Sequence, residues 1–149
     1  SDAISIDNVA LSEGDAGTTA FTFTVSVDGG GNASSNIGFT YNTANGTATL
    51  ADSDYVVVSG GSGTITSGTP STTVTVQVNG DTNVEATENF LVNLSGPVNA
   101  TITDGQGMGT ITNDDSDAIR INNVWLSEGD ASTTAFTFTV SVDGGGNAS

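Results

Sequence analysis

Carboxylates are the side chains whose types and spacing stand out in this sequence, and they come in four short groups. Glu13 sits within Leu11-Ser12-Glu13-Gly14-Asp15, Asp52 and Asp54 precede Tyr55, Asp81 and Glu85 lie between 80 and 88, and Asp114, Asp115 and Asp117 follow Asn113. The 149-residue chain carries 17 acidic residues against a single basic one, Arg120, with no His and no Cys, for a formal net charge of -16. Hard oxygen donors without basic partners suit calcium, which takes about six to eight oxygen ligands. Two carboxylates 4 Å apart repel by about 4 kcal/mol at an effective dielectric near 20. A site that gathered several would therefore be destabilising unless a cation filled it. A solvated acidic surface is the alternative for the same residues.

Such a site needs a scaffold that brings the four groups together. Phe21, Phe23, Val25 and Val27 alternate with Thr22, Thr24 and Ser26, which marks a half-buried strand over 18–27. The same period of two predicts strands at Ile4–Val9, Ile37–Tyr41, Tyr55–Val58 continuing through Gly63–Thr66, Val74–Val78, Phe90–Leu94 and Gly107–Thr112. Gly, Asn, Asp and Pro clusters separate them, and helical periodicity is absent. These observations predict an all-β fold, a seven-stranded antiparallel Greek-key sandwich of immunoglobulin type. Because successive strands reverse direction, the loops after the first, third and fifth strands and the tail of the seventh share one end. The four acidic groups fall there.

Residues 1–34 return as residues 116–149 with a period of 115, and 30 of the 34 positions are identical. The differences are Ser5/Arg120, Asp7/Asn122, Ala10/Trp125 and Gly17/Ser132. The period suits an autonomous domain, so residues 1–115 read as one complete repeat and 116–149 as the first two strands of the next, in tandem. About three residues are expected between the last strand of one repeat and the first of the next. Two arrangements fit: a window on a longer array, or strands 117–149 donated to another subunit to build a filament.

Several motifs occur together and in order: LSEGD, FTFTVS, NGTAT followed by SDYV, TVTVQVNGDTNVEATENFLVNLS, and GQGMGTITNDD. With these the chain resembles the Calx-beta domain family over residues 3–115, and the resemblance restarts at 117. It implies calcium as the cofactor and a ligand set of Glu13, Asp54, Asp81, Glu85, Asn113, Asp114 and Asp115. Asn113 stands where the richest family sites carry a third Asp, and Gly80 and Thr82 replace further acids, which implies one or two ions per repeat. Asp2, Asp52 and Asp117 are candidate outer ligands, and Glu128 repeats Glu13. Glu88 reads as a strand-end or surface residue.

Nucleophilic catalysis is poorly supplied, since His, Lys and Cys are all missing; the chain is not expected to be an enzyme. Strong negative charge excludes nucleic acid and anionic membrane as direct partners, and no apolar run could insert in a membrane as a helix. Sequons at Asn32, Asn45, Asn93, Asn99 and Asn147 are candidate glycosylation sites. The expected function is a calcium-stiffened structural repeat, secreted or at the cell surface, in a stalk, fibre or adhesin shaft whose partners are neighbouring repeats. A calcium-dependent module that binds glycan or a receptor, and a calcium sensor, are the alternatives.

Overall fold

The structure, a computed structural model, describes residues 1–143. Its strands in chain order are β1 (Asp2–Ile6), β2 (Val9–Ser12), β3 (Thr18–Val27), β4 (Ile37–Asn45), β5 (Gly61–Ile65), β6 (Ser71–Asn79), β7 (Glu88–Val98), β8 (Ala100–Asp104), β9 (Gln106–Thr112), β10 (Ala118–Ile121) and β11 (Val140–Asp143). One sheet has the order β6-β3-β1-β8 and the other β2-β9-β7-β4-β5. Together they form an all-β two-sheet sandwich. No helix among the described residues is long and apolar enough to cross a membrane.

Alternation explains β3. Its inward residues Phe21, Phe23 and Val25 are fully buried, while Thr22 and Thr24 face outward. Its antiparallel register with β6 is unbroken from Thr18↔Asn79 to Ser26↔Ser71. From the opposite sheet Phe90 meets Phe21 and Phe23 at ring-centroid distances of 5.7 and 6.1 Å, and Tyr55 stacks on it at 4.9 Å. These aromatic rings join the two sheets at the centre of the core.

Three local expectations are corrected. The first strand is broken: β1 belongs to one sheet and β2 to the other, so the chain crosses the core at Asp7-Asn8. The last strand crosses in the same way through Gly105, and β8, whose short sequence Ala100-Thr101-Ile102-Thr103-Asp104 was not recognised as a strand, adds one. Consequently β1 runs parallel to β8, and β2 runs parallel to β9, within an otherwise antiparallel sandwich. Tyr55–Val58 does not continue into β5. Tyr55 makes one bridge to Val78 and donates its hydroxyl to Asn45 Oδ1 at 2.5 Å, and the chain turns at Gly60, whose φ is 70°, before β5 begins. Its apolar residues are used singly, so the segment has no ladder of its own.

Residues 113–117 separate β9 from β10, five residues instead of about three. Beyond them β10 and β11 form a separate two-stranded sheet whose pairs Ile119↔Val142, Arg120↔Ser141 and Ile121↔Val140 copy Ile4↔Val27, Ser5↔Ser26 and Ile6↔Val25 one period later. Local bonds are copied as well. Thr139 N donates to Asn122 Oδ1 at 2.8 Å as Thr24 N donates to Asp7 Oδ1 at 2.7 Å, and Thr134 Oγ1 donates to Glu128 O as Thr19 Oγ1 donates to Glu13 O. Residues 124–127 and 133–139, the counterparts of β2 and most of β3, are not strands. In the first copy those strands are held by β9 and β6.

Candidate metal centre

Register places the four acidic groups at one end of the sandwich. Ser12 pairs with Thr112, Thr18 with Asn79, Glu88 with Ile111 and Asn45 with Phe90, so the loops that follow β2, β4 and β6 and the tail of β9 leave the sheets side by side. The β2–β3 and β6–β7 loops touch through glycine. Gly80 N donates to Gly17 O at 3.0 Å, and a Cβ at Gly80 would collide with the carbonyl oxygen of Gly14. An acidic side chain at this position would thus have no room.

Among the described residues two separate clusters of carboxylates result, and a third shares a member with the first. Glu13, Asp81 and Asp115 each present an oxygen within 4.8 Å of the others, and so do Asp15, Asp114 and Asp115, and Asp54, Glu85 and Glu88. Hydrogen bonds hold the loops that carry them. Glu85 N donates to Asn113 Oδ1 at 3.0 Å, Asn113 Nδ2 donates to Asp115 O at 2.8 Å, and Asn83 N donates to Asp81 Oδ1 at 2.7 Å. Thr49 N donates to Asp54 Oδ2 at 2.7 Å. Asn113 therefore clasps the β6–β7 loop to the tail of β9 with both atoms of its amide.

The electrostatics are those of acids raised by burial and by one another. Glu13 is 4% exposed, and burial, followed by the charges of Asp81, Glu85, Asp115 and Asp114, pushes its carboxyl up to about 7. Glu85 is raised by burial and then by Asp81, Asp54 and Asp52. Burial also raises Glu88, with further contributions from the charge of Asp54 and a hydrogen bond to it. Asp115 is raised by burial and by Asp114, Asp15 and Asp81. Among the described residues its Oδ2 is buried without a hydrogen-bond partner. Ordinarily a buried carboxylate oxygen is hydrogen-bonded or on a metal.

Of the residues singled out in the sequence, Glu13, Asp54, Asp81, Glu85, Asp114 and Asp115 all belong to these clusters. Asp52 lies beside them and accepts from Thr49 Oγ1 at 2.7 Å. Asp2 lies elsewhere, accepting from Ser34 N and Oγ at 2.8 Å each. Asp117 joins no cluster among the described residues, and Glu128 is exposed. Two cluster members were missed. Glu88 lies on the same face of β7 as buried Phe90 and Val92, and its spacing of two from Phe90 was the available signal. Asp15 follows Glu13 at the same spacing, across Gly14 in the left-handed region at φ 83°.

Among the sequons, Asn32 is exposed, whereas Asn45 Oδ1 accepts from Leu50 N and the Tyr55 hydroxyl, Asn93 Oδ1 from Gln106 Nε2, and Asn99 Nδ2 donates to Asn36 O. Asn147 lies outside the described residues.

The Calx-beta domain family profile matches residues 4–117, most of the chain. The chain belongs to the Calx-beta domain family. Its fold is that of solved Calx domains. The apo-form Calx CBD1 domain matches with a TM-score of 0.63 at 21% identity, covering 76% of this chain and 98% of that one. CBD12 from CALX1.2 matches with a TM-score of 0.63 at 21% identity over 76% of this chain, which spans only 44% of that structure's length. The Calx CBD2 domain matches with a TM-score of 0.63 at 14% identity, over 75% of this chain and 86% of that one. No curated protein matches the chain.

Calcium fits what this Calx-beta domain presents. The donors are all oxygen, come from four segments, and include one buried oxygen with no other partner among the described residues.

Proposed function

We propose that this chain is a calcium-binding Calx-beta repeat of an extracellular stalk, fibre or adhesin shaft, taking one or two ions per repeat. The observation that carries the calcium reading is buried Glu13, raised to about 7 in a cluster with Asp81 and Asp115. Oxygen Oδ2 of Asp115 completes the argument, since no hydrogen-bond donor among the described residues satisfies it. When bound, calcium supplies positive charge to this acidic end. Glu13 would hold it from the β2–β3 loop, Asp81 from the β6–β7 loop, and Asp114 and Asp115 from the tail of β9, with Asp15 beside them. Asp54, Glu85 and Glu88 form the natural second position. Asn113 orients the tail instead of serving as the main ligand.

The mechanical reading rests on where that tail leads. Residues 113–117 connect the cluster directly to β10, so fixing Asp114 and Asp115 would restrict the joint to the following repeat. The copied register of β10 and β11 supports a tandem array, and the net charge of -16 with no cysteine suits an extracellular calcium-rich setting. No catalysis is assigned. Melting the chain with calcium and with chelator tests the metal, and electron microscopy of native material tests the array. Coincident melts would defeat the first reading, and isolated globules the second.

A further inference from the structure

Charge is distributed unevenly over the sandwich. Of the 17 acidic residues none falls between Asp28 and Asp52 or between Asp54 and Asp81, so β4, β5 and β6 are without charge. Among the described residues β5 and β6 are also open edges of their sheets. Natural sheets block an open edge with charge, proline, a bulge or brevity. Of the other edges, β5 has five residues, β2 has four, and β8 carries Asp104. None of these protections belongs to β6. Its nine residues keep an unbroken register with β3, with valine at 74, 76 and 78 and threonine at 72, 73 and 75. Such an edge is a template for another strand.

Two neighbours define how much of that edge is open. At one end Val56 N donates to Gln77 O at 2.8 Å and Asn79 N donates to Asp54 O at 2.9 Å, around the bridge between Tyr55 and Val78. The chain at 54–56 therefore covers β6 from Gln77 onward. At the other end β6 begins at Ser71, after Pro70, whose carbonyl accepts from Val27 N of β3. The N–H and C=O of one residue in an antiparallel strand point the same way. Pro70 and its alternates Thr72, Val74 and Val76 thus turn toward β3, while Ser71, Thr73 and Thr75 turn with Gln77 toward the edge. The open window is Ser71–Thr75, with Thr73 at its centre.

We infer that β6 pairs with β6 of a second copy of this chain, antiparallel, about a two-fold axis at Thr73. Thr73 lies opposite the second copy's Thr73 as a hydrogen-bonded pair, and Ser71 lies opposite its Thr75, for roughly six backbone hydrogen bonds. The four-stranded sheet then continues across the axis, β8-β1-β3-β6 followed by β6-β3-β1-β8.

Charge selects both the occupant and its direction. Two molecules of net charge -16 repel one another, over a Debye length of about 8 Å in physiological salt, and the uncharged side is where they approach at least cost. A two-fold axis at Thr73 also sends the acidic ends, marked by Asp54 and Asp81, in opposite directions. Parallel pairing would set them side by side. Val56 and Val57, 46% and 53% exposed, stand where the covered part of the edge begins and offer apolar surface beside the place of the second copy's Pro70. Five residues of paired edge bury less than the ~800 Å² per partner of a stable interface, so a single pair is weak. Repetition along an array strengthens it by multivalency. Calcium takes no part.

Thr73→Cys tests this register in a protein without native cysteine. Across the axis the two Cα atoms of residue 73 come within about 5.5 Å, inside disulfide range. Gln77→Cys is the comparison: it is also exposed and on the same face of β6, but its two copies would lie ~27 Å apart. The full chain with each substitution is oxidised at about 1 mM in chelator and run on a non-reducing gel. Thr73→Cys should give roughly fivefold more disulfide-linked dimer than Gln77→Cys, or better. Adding Thr75→Pro removes an N–H that faces the edge and spares the ladder with β3, so it should bring the dimer down to the Gln77→Cys level. Monomer only from Thr73→Cys, or equal dimer from the two cysteines, would overturn the pairing, whether the edge is left to water or taken by a foreign extended peptide. Undiminished dimer from a folded Thr75→Pro chain would overturn it as well, and the two cysteines decide the matter even where that variant does not fold.

Discussion

Asp2 and Asp28, away from the clusters, have hydroxyl or amide donors to hold their charge, whereas Glu13 and Asp115 face other acids. Asp2 takes two hydrogen bonds from Ser34, and Asp28 takes the hydroxyls of Ser5 and Thr103, so both carboxyls are held below their usual range. Glu13, Glu85, Glu88 and Asp115 are instead raised by burial and by neighbouring acids. One residue class thus serves two purposes. Where hydroxyls and amides hold the acid's charge, it organises the fold; where burial and other acids raise it, the cluster costs stability unless a cation offsets it.

The largest effect that separates the two regions should be metal removal. At calcium about a hundredfold above its dissociation constant, binding adds about 2.7 kcal/mol. For a domain of this size that raises the melting temperature by roughly 10–20 °C. Calorimetric melts in calcium and in chelator would measure it. Changing Asp114 and Asp115 together to Asn should abolish the difference, while Asp2→Asn should lower both melts and leave their difference intact. Equal loss of the difference in both variants would erase the contrast between the regions.

Next in size is Gly80→Ala, which forces the β6–β7 loop away from Gly14. It should lower stability by about 1–3 kcal/mol and weaken calcium binding in a titration, because the two loops carry Asp81 and Glu13.

The smallest effect is the response of the metal-free protein to pH. Glu13 is raised from 4.5 to about 7 in the folded state, so folding favours its protonated form. That stability is fully present below about pH 4.5 and is lost as pH rises through about 7. In chelator the melting temperature should fall across this window, and Glu13→Gln should flatten the fall. Calcium affinity should rise over the same window, since the ion needs the ionised carboxylate.

Much of this contrast was legible in the sequence. The alternation around Phe21 and Phe23 identifies β3, and reversal of successive strands brings Glu13, Asp54, Asp81 and Asp115 to one end without any coordinates. What escaped was set by tertiary partners. The crossing at Asp7-Asn8 depends on β8 and β9 crossing alongside, and Tyr55 is inward because Phe90 stacks on it, so neither follows from local periodicity. Glu88 shares the period of Phe90 and Val92 and was legible in principle; its charge obscured its place on an inward face. The placement of Asp2 was beyond reach because its partner Ser34 lies 32 residues away.

The central claim is that Glu13, Asp81 and Asp115 form a calcium site, and calorimetric titration of calcium into the full chain and its Glu13→Gln variant tests it most directly. The account predicts saturable binding of one or two ions to the unaltered chain and at least tenfold weaker binding to the variant, with the metal-free variant still folded. Absence of saturable binding to the unaltered chain, or the same isotherm from both proteins, would contradict it.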